Sequence, residues 1–278
     1  MRININTSAA RASRSLGVTA ANLSDNVEKL STGYRINRAG DDASGLVISN
    51  RLRAQVSGLR QAIRNAQDGV SVLQTAEGAL VEVNTMLNRM RDLAVQAAST
   101  ATYDTAARTA AQAEITALRT EITRVGDTTK FGSIGLLDGT ASASALTFQV
   151  GSGTASGEAI GVTLMTVSAT ALTLGSIDLA SATYASITGS ITILDTAISA
   201  VSNTRASIGA LQNRFESLVS NLSVTTENLA ASESRIRDTD MAAEMVEFTK
   251  NQVLQQAGTA MLAQANKIPQ GILALLQN

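Results

Sequence analysis

The sequence has 278 residues, a formal net charge of -1 and no cysteine, histidine or tryptophan. Without cysteine and histidine it lacks thiol nucleophiles, Ser-His-Asp triads and the usual zinc ligands, and disulfides are excluded. No run of basic residues could neutralise a row of phosphates, so nucleic acid is not an expected partner. Any catalysis would have to rest on carboxylates, Lys, Tyr or hydroxyls, and we expect neither an enzyme nor a cofactor or metal site.

The first predicted element is an amphipathic helix near the N-terminus. Its apolar residues recur at helical spacing as far as Gly33, a residue type that commonly ends helices. They are Leu16, Leu23, Val27 and Leu30. A connector rich in Gly, Asn and Asp follows over 34–45. Within it, Asp41 or Asp42 is expected to cap the next helix by accepting hydrogen bonds from its free N–H groups.

The second predicted element is a long helix from Leu46 to Ala98, roughly 80 Å at 1.5 Å per residue. Apolar residues recur along it in alternating steps of four and three, with one shift near Glu77. Such a sustained repeat predicts the seam of a coiled coil. A third helix, with apolar residues from Ile115 to Val125, follows a break at Tyr103 and Asp104.

The middle of the chain has a different composition. Charge becomes sparse, and Gly, Ser and Thr accumulate together with β-branched residues. Segments 148–150 and 162–164 have strand-like content, and 137–139 is typical of a turn. We therefore predict short β-hairpins over 130–190.

Heptad patterning then returns in the C-terminal part. A long helix is predicted from Ile191 to Ile236, with Arg205 in its seam, and a last helix follows a break at 237–240. The last helix carries apolar residues seven positions apart, namely Leu254, Met261, Ile268 and Leu275. Its polar face contains mostly Asn and Gln, whereas helices that lie in a lipid interface are usually rich in Lys and Arg, so membrane insertion is not expected.

The predicted fold is mostly α, with long antiparallel coiled-coil helices from the two chain ends and a small β-hairpin region in the middle. The order of elements is symmetric, so a chain that folds back at the insert brings both ends together. Only 3% of the residues are aromatic, which favours a core of aliphatic side chains. An isolated pair of helices is only marginally stable, because helix stability comes mainly from tertiary packing. The apolar stripes at the two chain ends therefore predict oligomerisation.

Several sequence blocks in both terminal parts resemble the bacterial flagellin family. The N-terminal blocks are LSTGYRIN at 30–37, DDASGL at 41–46, RNAQDGVS at 64–71, QTAEGAL at 74–80 and RDLAVQ at 91–96. The C-terminal blocks are SRIRDTDMA at 234–242, LQQAG at 254–258 and AQANKIPQ at 263–270. Several independent blocks in the same order make this resemblance far more specific than a single short motif.

The resemblance implies a structural subunit of the extracellular flagellar filament, used in swimming motility, with a minimal variable middle region. It implies that 1–40 and 238–278 form a coiled-coil domain lining the filament channel. Residues 41–237 would form the helical bundle of the outer tube, including the hairpin region. The implied partners are further copies of the chain, the flagellar type III export apparatus, the filament cap and an export chaperone. Export without a cleaved signal peptide agrees with the absence of a continuous apolar segment after Met1.

Two sets of residues are candidate contact sites. The terminal stripe is expected to serve both as the core of the helix pair and as a subunit-packing surface: Leu16, Leu23, Val27, Leu30, Leu254, Met261, Ile268 and Leu275. The resemblance further implies that Arg89, Leu93 and Glu114 contact the vertebrate toll-like receptor for flagellin. Apart from the resemblance, these three residues are an ordinary solvated helix face.

Other interpretations of the sequence remain open. The nearest is a hook–filament junction protein or another flagellar axial component, and a secreted coiled-coil adhesin is a more distant one. The acidic residues Asp41, Asp42, Asp238 and Asp240 could be read as paired catalytic carboxylates, but helix capping and turn formation are favoured because no basic or nucleophilic partner stands at a defined spacing. The Ser/Thr-rich segment 140–192 could carry O-linked glycans or simply form a polar hairpin surface.

Overall fold

The computed structural model describes residues 5–99, 104–180 and 183–276, without the side chains of 156 and 268–276. Helices dominate these ranges, as the heptad patterning predicts, and the expected fold class is confirmed. The helices are α1 (Thr7–Thr32), α2 (Ala43–Ala98), α3 (Thr105–Thr128), α4 (Thr140–Ala143), α5 (Tyr184–Arg237) and α6 (Met241–Leu276). Two short 3-10 turns lie at Ser156–Glu158 and Leu174–Ser176.

The helix boundaries are set by local capping. Gly33 ends α1 in the left-handed conformation, with φ of 74°, and its N–H donates to the carbonyl of Lys29. Asp42 Oδ1 accepts from the N–H of Gly45 at 2.9 Å in the first turn of α2. The predicted stop at Gly33 and the predicted acidic cap are therefore confirmed. Asp104, which was predicted as part of a break, caps α3 by accepting from the N–H of Ala107 at 2.7 Å.

Two short antiparallel strand pairs occupy the first part of the middle region. They are β1 (Lys130–Phe131) with β2 (Ile134–Gly135), and β3 (Leu146–Gln149) with β4 (Ala159–Val162). The predicted strand at 148–150 overlaps β3, but the one predicted at 162–164 overlaps β4 only at Val162. Beyond that point the N–H of Leu164 donates to the carbonyl of Ala141, so the chain leaves the hairpin. The predicted end of the β region at 190 was too late, because α5 already begins at Tyr184.

The chain divides into two compact units. A terminal unit combines Met1–Gln55 with Asn228–Asn278, and a central unit comprises Val56–Glu227. Both limits lie further inside the chain than the domain limits that the resemblance implies, at 40 and 238.

The central unit contains the hydrophobic core. Within it, α2 and α5 run antiparallel, with Arg91 paired to Asp195 and Glu77 paired to Arg205 at 3.7 Å. The largest fully buried side chains include Leu73, Leu80, Leu87, Met90, Ile115, Ile122, Leu136, Leu137, Leu164, Leu174 and Phe215. The β3–β4 hairpin joins this core through an edge-to-face contact between Phe148 and Phe215, whose ring centroids are 5.7 Å apart.

Candidate subunit-packing surface

In the terminal unit, α1 and α6 pack against each other in antiparallel orientation. The side-chain amide of Asn6 donates to the carbonyl of Ala265 at 2.9 Å near one end of the pair. Near the other end, Lys29 Nζ lies 4.0 Å from a carboxylate oxygen of Glu244. Positions along α1 therefore rise as positions along α6 fall, which brings the two chain ends together as the symmetry of the sequence predicts.

The seam between these helices follows a strict heptad rhythm of alternating three- and four-residue steps. On each helix its members are half-buried or buried, while most neighbouring positions are exposed. The α1 members are Ala9, Ala12, Leu16, Thr19, Leu23, Asn26 and Leu30, and the α6 members are Glu244, Phe248, Asn251, Gln255, Gly258, Leu262 and Ala265. Small and polar residues make up most of this seam, so it buries little apolar area by itself.

The structure corrects the predicted C-terminal half of the seam. Leu254 and Met261 are 47% and 66% exposed, and they lie beside the seam rather than in it. The reason is close approach at Gly258, where an added Cβ would stand 3.1 Å from Leu16 Cδ1. Phe248 and Leu262 are the large apolar residues of α6 within the seam, whereas Leu254 and Met261 are turned outwards.

The predicted N-terminal members behave differently from one another. Leu16, Leu23 and Leu30 are half-buried against α6, whereas Val27 is 49% exposed. The side chains of Ile268 and Leu275 lie outside the described residues, although both positions belong to α6.

A pair of buried asparagines sits within the seam. Asn26 and Asn251 are each 7% exposed, and the Nδ2 of Asn251 donates to the Oδ1 of Asn26 at 3.4 Å. An apolar residue at either position would add more burial, but a buried polar pair favours one register and one partner. Heptad analysis that counts only apolar residues misses this pair.

The exposed surface of α6 is apolar on several sides. At about 100° per residue, Met241 and Met245 fall on one flank of the seam, and Leu254 and Met261 on the other. Val246 and Val253 lie on the face opposite the seam. All six side chains are exposed. Exposed apolar patches of this kind mark interaction surfaces, so α6 offers contacts for neighbours beyond α1.

In the terminal unit, the segment that links α1 to α2 is hydrogen-bonded through its backbone to the segment that links α5 to α6. Tyr34 and Asp238 form an antiparallel bridge, and the N–H of Thr239 donates to the carbonyl of Gly33 at 3.0 Å. The guanidinium of Arg237 lies 4.5 Å from the centre of the Tyr34 ring, a cation–π distance. These contacts hold the end of α1 next to the start of α6. From the sequence, the two segments were predicted only as separate interruptions between helices.

The hydrogen-bonded acidic residues of the connectors cap helices or stabilise turns, as predicted for Asp41, Asp42 and Asp240. Asp240 Oδ1 accepts from the N–H groups of Ala242 and Ala243 at the start of α6. Asp41 accepts from the N–H groups of Arg38 and Asn37, and these hydrogen bonds lower the pKa of its carboxyl. Within the described ranges, no group of three or more Asp and Glu residues is placed to hold a metal ion.

The candidate receptor residues lie in the central unit. Arg89 Nε donates to Glu114 Oε1 at 2.7 Å, and this ion pair joins α2 to α3 on the surface. Leu93 is only 3% exposed and belongs to the hydrophobic core. The expectation that Leu93 contributes to a contact surface is therefore wrong for the free subunit, because its position on α2 faces inwards.

By length and hydropathy alone, α5 is apolar enough to cross a membrane. Core helices of water-soluble proteins pass the same test, so this finding is weak. Several of its apolar side chains, including Leu194, Val201, Ile208 and Phe215, are buried in the central core, which accounts for the composition.

These features describe a mostly helical protein whose paired terminal helices leave large apolar side chains exposed. The family description "bacterial flagellin N-terminal helical region" matches residues 3–142, and "bacterial flagellin C-terminal helical region" matches residues 191–276. The chain belongs to the bacterial flagellin family.

Full-length relatives agree with this assignment. Flagellin of Halalkalibacterium halodurans is 47% identical over 279 residues, and flagellin of Bacillus subtilis is 44% identical over 306 residues. The flagellar filament 33 kDa core protein of Treponema phagedenis is 43% identical over 292 residues. In each case the match covers 100% of both chains.

The chain is therefore a structural subunit of the extracellular flagellar filament, and it polymerises with itself. The family is one of structural proteins, not known as enzymes. The relatives give no support to a junction protein.

Proposed function

We propose that the subunit joins the filament mainly through the exposed apolar surface of α6, together with Val27 of α1. The observation that carries this proposal is the exposure of large apolar side chains on both flanks and on the back of α6. Burial of one such side chain contributes about 1.5–3 kcal/mol, and many copies along a polymer would make the contact effectively permanent. Leu16, Leu23 and Leu30 would contribute indirectly by holding α1 against α6.

The proposal extends to the predicted arrangement in the filament. Residues 1–40 and 238–278 would line the channel, and residues 41–237, with the hairpins, would form the outer tube. A small and polar seam supports this arrangement, since the helix pair gains its remaining burial only from neighbouring copies. The surface exposed before assembly would then be the surface hidden after it.

A substitution at Leu254 tests the packing proposal. Leu254→Asp places a charge on the proposed contact without touching the seam, and we expect seeded polymerisation to be lost while the helical circular dichroism of the monomer is retained. Leu254→Met is the matched control, because it preserves an apolar side chain of similar size, and it should polymerise normally. Normal filaments from Leu254→Asp in electron micrographs would contradict the proposal.

The same surface supports the proposed export partners. Large exposed apolar patches invite premature association in the cell, so an export chaperone that covers α6 has a physical purpose. Delivery by the flagellar export apparatus without a cleaved signal peptide, and folding beneath the filament cap, complete the proposed route. A chain shortened before α6 should no longer bind the chaperone.

We further propose that Arg89 and Glu114 form part of a surface recognised by the toll-like receptor. Support comes from their exposed ion pair, which positions both charges on the α2–α3 face. Arg89→Ala and Glu114→Ala monomers should stimulate a receptor reporter cell less than the unmodified monomer. An exposed control on α3, Arg124→Ala, should retain full stimulation. Equal responses from all four proteins would contradict this assignment.

A further inference from the structure

The methionines of the chain fall into two groups by exposure. In the central unit, Met90 is fully buried and Met86 and Met165 are half-buried. In α6, Met241, Met245 and Met261 are 47%, 48% and 66% exposed. Among the methionines that the structure describes, those of α6 are therefore the ones that solvent reaches most easily.

The composition makes these thioethers the main target of mild oxidants. The chain has no cysteine and no tryptophan, so neither a thiol nor an indole competes for the reagent. A peroxide transfers one oxygen atom to the methionine sulfur, giving the sulfoxide while hydrogen peroxide is reduced to water. The reaction turns a flexible apolar side chain into a polar one.

The α6 methionines occupy the surface that the proposed assembly contact uses. Met245, Val246 and Leu254 are among the residues that line a shallow apolar groove of about 540 Å³ across the outer side of α6. Met261 lies on the same flank as Leu254, one heptad further on. A sulfoxide at either position would place a strong hydrogen-bond acceptor in an interface that offers it mostly apolar neighbours, and burying such a group without a partner is unfavourable.

We propose that Met241, Met245 and Met261 form an oxidation site. Peroxides that oxidise these residues in the free subunit control whether it can polymerise. Oxidation of the monomer removes its competence to assemble, and incorporation into the filament shields the same three sulfurs. This inference rests on the proposed packing role of α6, because only a covered surface gives the sulfoxide an effect on assembly.

The test uses full-length monomer exposed to hydrogen peroxide and then mixed with filament seeds. Peptide mass spectrometry should show sulfoxide at the three α6 methionines at least about tenfold faster than at Met86, Met90 and Met165, and seeded growth should fall in proportion. The variant carrying Met241→Leu, Met245→Leu and Met261→Leu should grow equally well before and after treatment. Treatment of oxidised wild-type monomer with methionine sulfoxide reductase should restore growth.

Three results would overturn the inference: equal oxidation rates at buried and exposed methionines, normal growth of fully oxidised monomer, or loss of growth by the peroxide-treated triple variant. If the triple variant does not fold, restoration by the reductase tests the same point with the natural sequence. The Leu254→Asp variant separates the two proposals. If it polymerises, the packing role fails; if it stays monomeric while oxidised wild-type protein polymerises, only the oxidation site fails.

Discussion

Single residues in this chain are constrained where backbones approach closely. Gly126 lies near the end of α3, and a Cβ added there would stand 1.9 Å from the carbonyl oxygen of Val167. No side chain can adapt to that distance, since the obstacle is backbone. Gly78, in the middle of α2, has open space around the same position.

These two glycines give a matched pair of substitutions. Gly126→Ala should lower the free energy of unfolding of the monomer by about 1–3 kcal/mol, as overpacking of a core does. Gly78→Ala should raise it by about 0.5–1 kcal/mol, because alanine loses less conformational entropy in a helix. Urea titrations followed by circular dichroism measure both values. Equal shifts for the two variants would show that the approach of Val167 to α3 is not a constraint.

At the residue scale, the sequence predicted what depends on near neighbours alone. Gly33 as a helix stop and Asp42 as a cap follow from rules that operate within a few residues. The constraint on Gly126 could not be predicted, because it depends on Val167, which is distant in the sequence and adjacent only in the fold. Leu93 was misassigned for a similar reason: its burial depends on which face of α2 packs against α5 and α3.

At the scale of elements, the α1–α6 pair combines weak burial with a specific polar contact. Compared with two apolar residues at the same positions, the Asn26–Asn251 pair is expected to lower the stability of the helix pair and to set its register. A single replacement, Asn251→Leu, leaves Asn26 buried without its partner, at a cost of about 1–3 kcal/mol. The double replacement removes both polar groups and leaves apolar packing.

A double-mutant cycle measures this coupling. Asn26→Leu and Asn251→Leu should each destabilise the terminal helices, and the double variant should be more stable than either single variant. Thermal melting of the full-length monomer, followed at the helical circular dichroism band, provides the values. We expect seeded growth by the double variant to be slower despite its stability, because alternative registers of α1 on α6 become accessible. Additive effects of the two changes would argue against a coupled pair.

The seam of α6 shows why the heptad pattern of apolar residues did not predict which residues of α6 contact α1. The helix carries two interleaved sets of positions. One set has large apolar side chains and includes Leu254 and Met261, and the other has smaller or more polar side chains and includes Asn251 and Gly258. Apolar periodicity favours the first set, yet the close contact with α1 uses the second. The first set remains exposed and available to a partner, and the sequence of one chain does not show which partner that is.

At the scale of the whole molecule, the order of helices and the return of the chain at a β insert were predictable from periodicity and symmetry. The limits of the short strands were not, because β4 ends where Leu164 finds the Ala141 carbonyl rather than at a residue type that breaks strands. The same symmetry brings both chain ends into one unit.

The most direct test uses the absence of cysteine from the chain. A single cysteine introduced as Met261→Cys should react readily with a maleimide in the monomer, and its labelling rate should fall at least about tenfold in the filament if the outer side of α6 packs against neighbouring subunits. Thr170→Cys, at an exposed position in the middle region, should label at similar rates in both states. Undiminished labelling at position 261 in intact filaments would contradict the proposal that α6 is the packing surface.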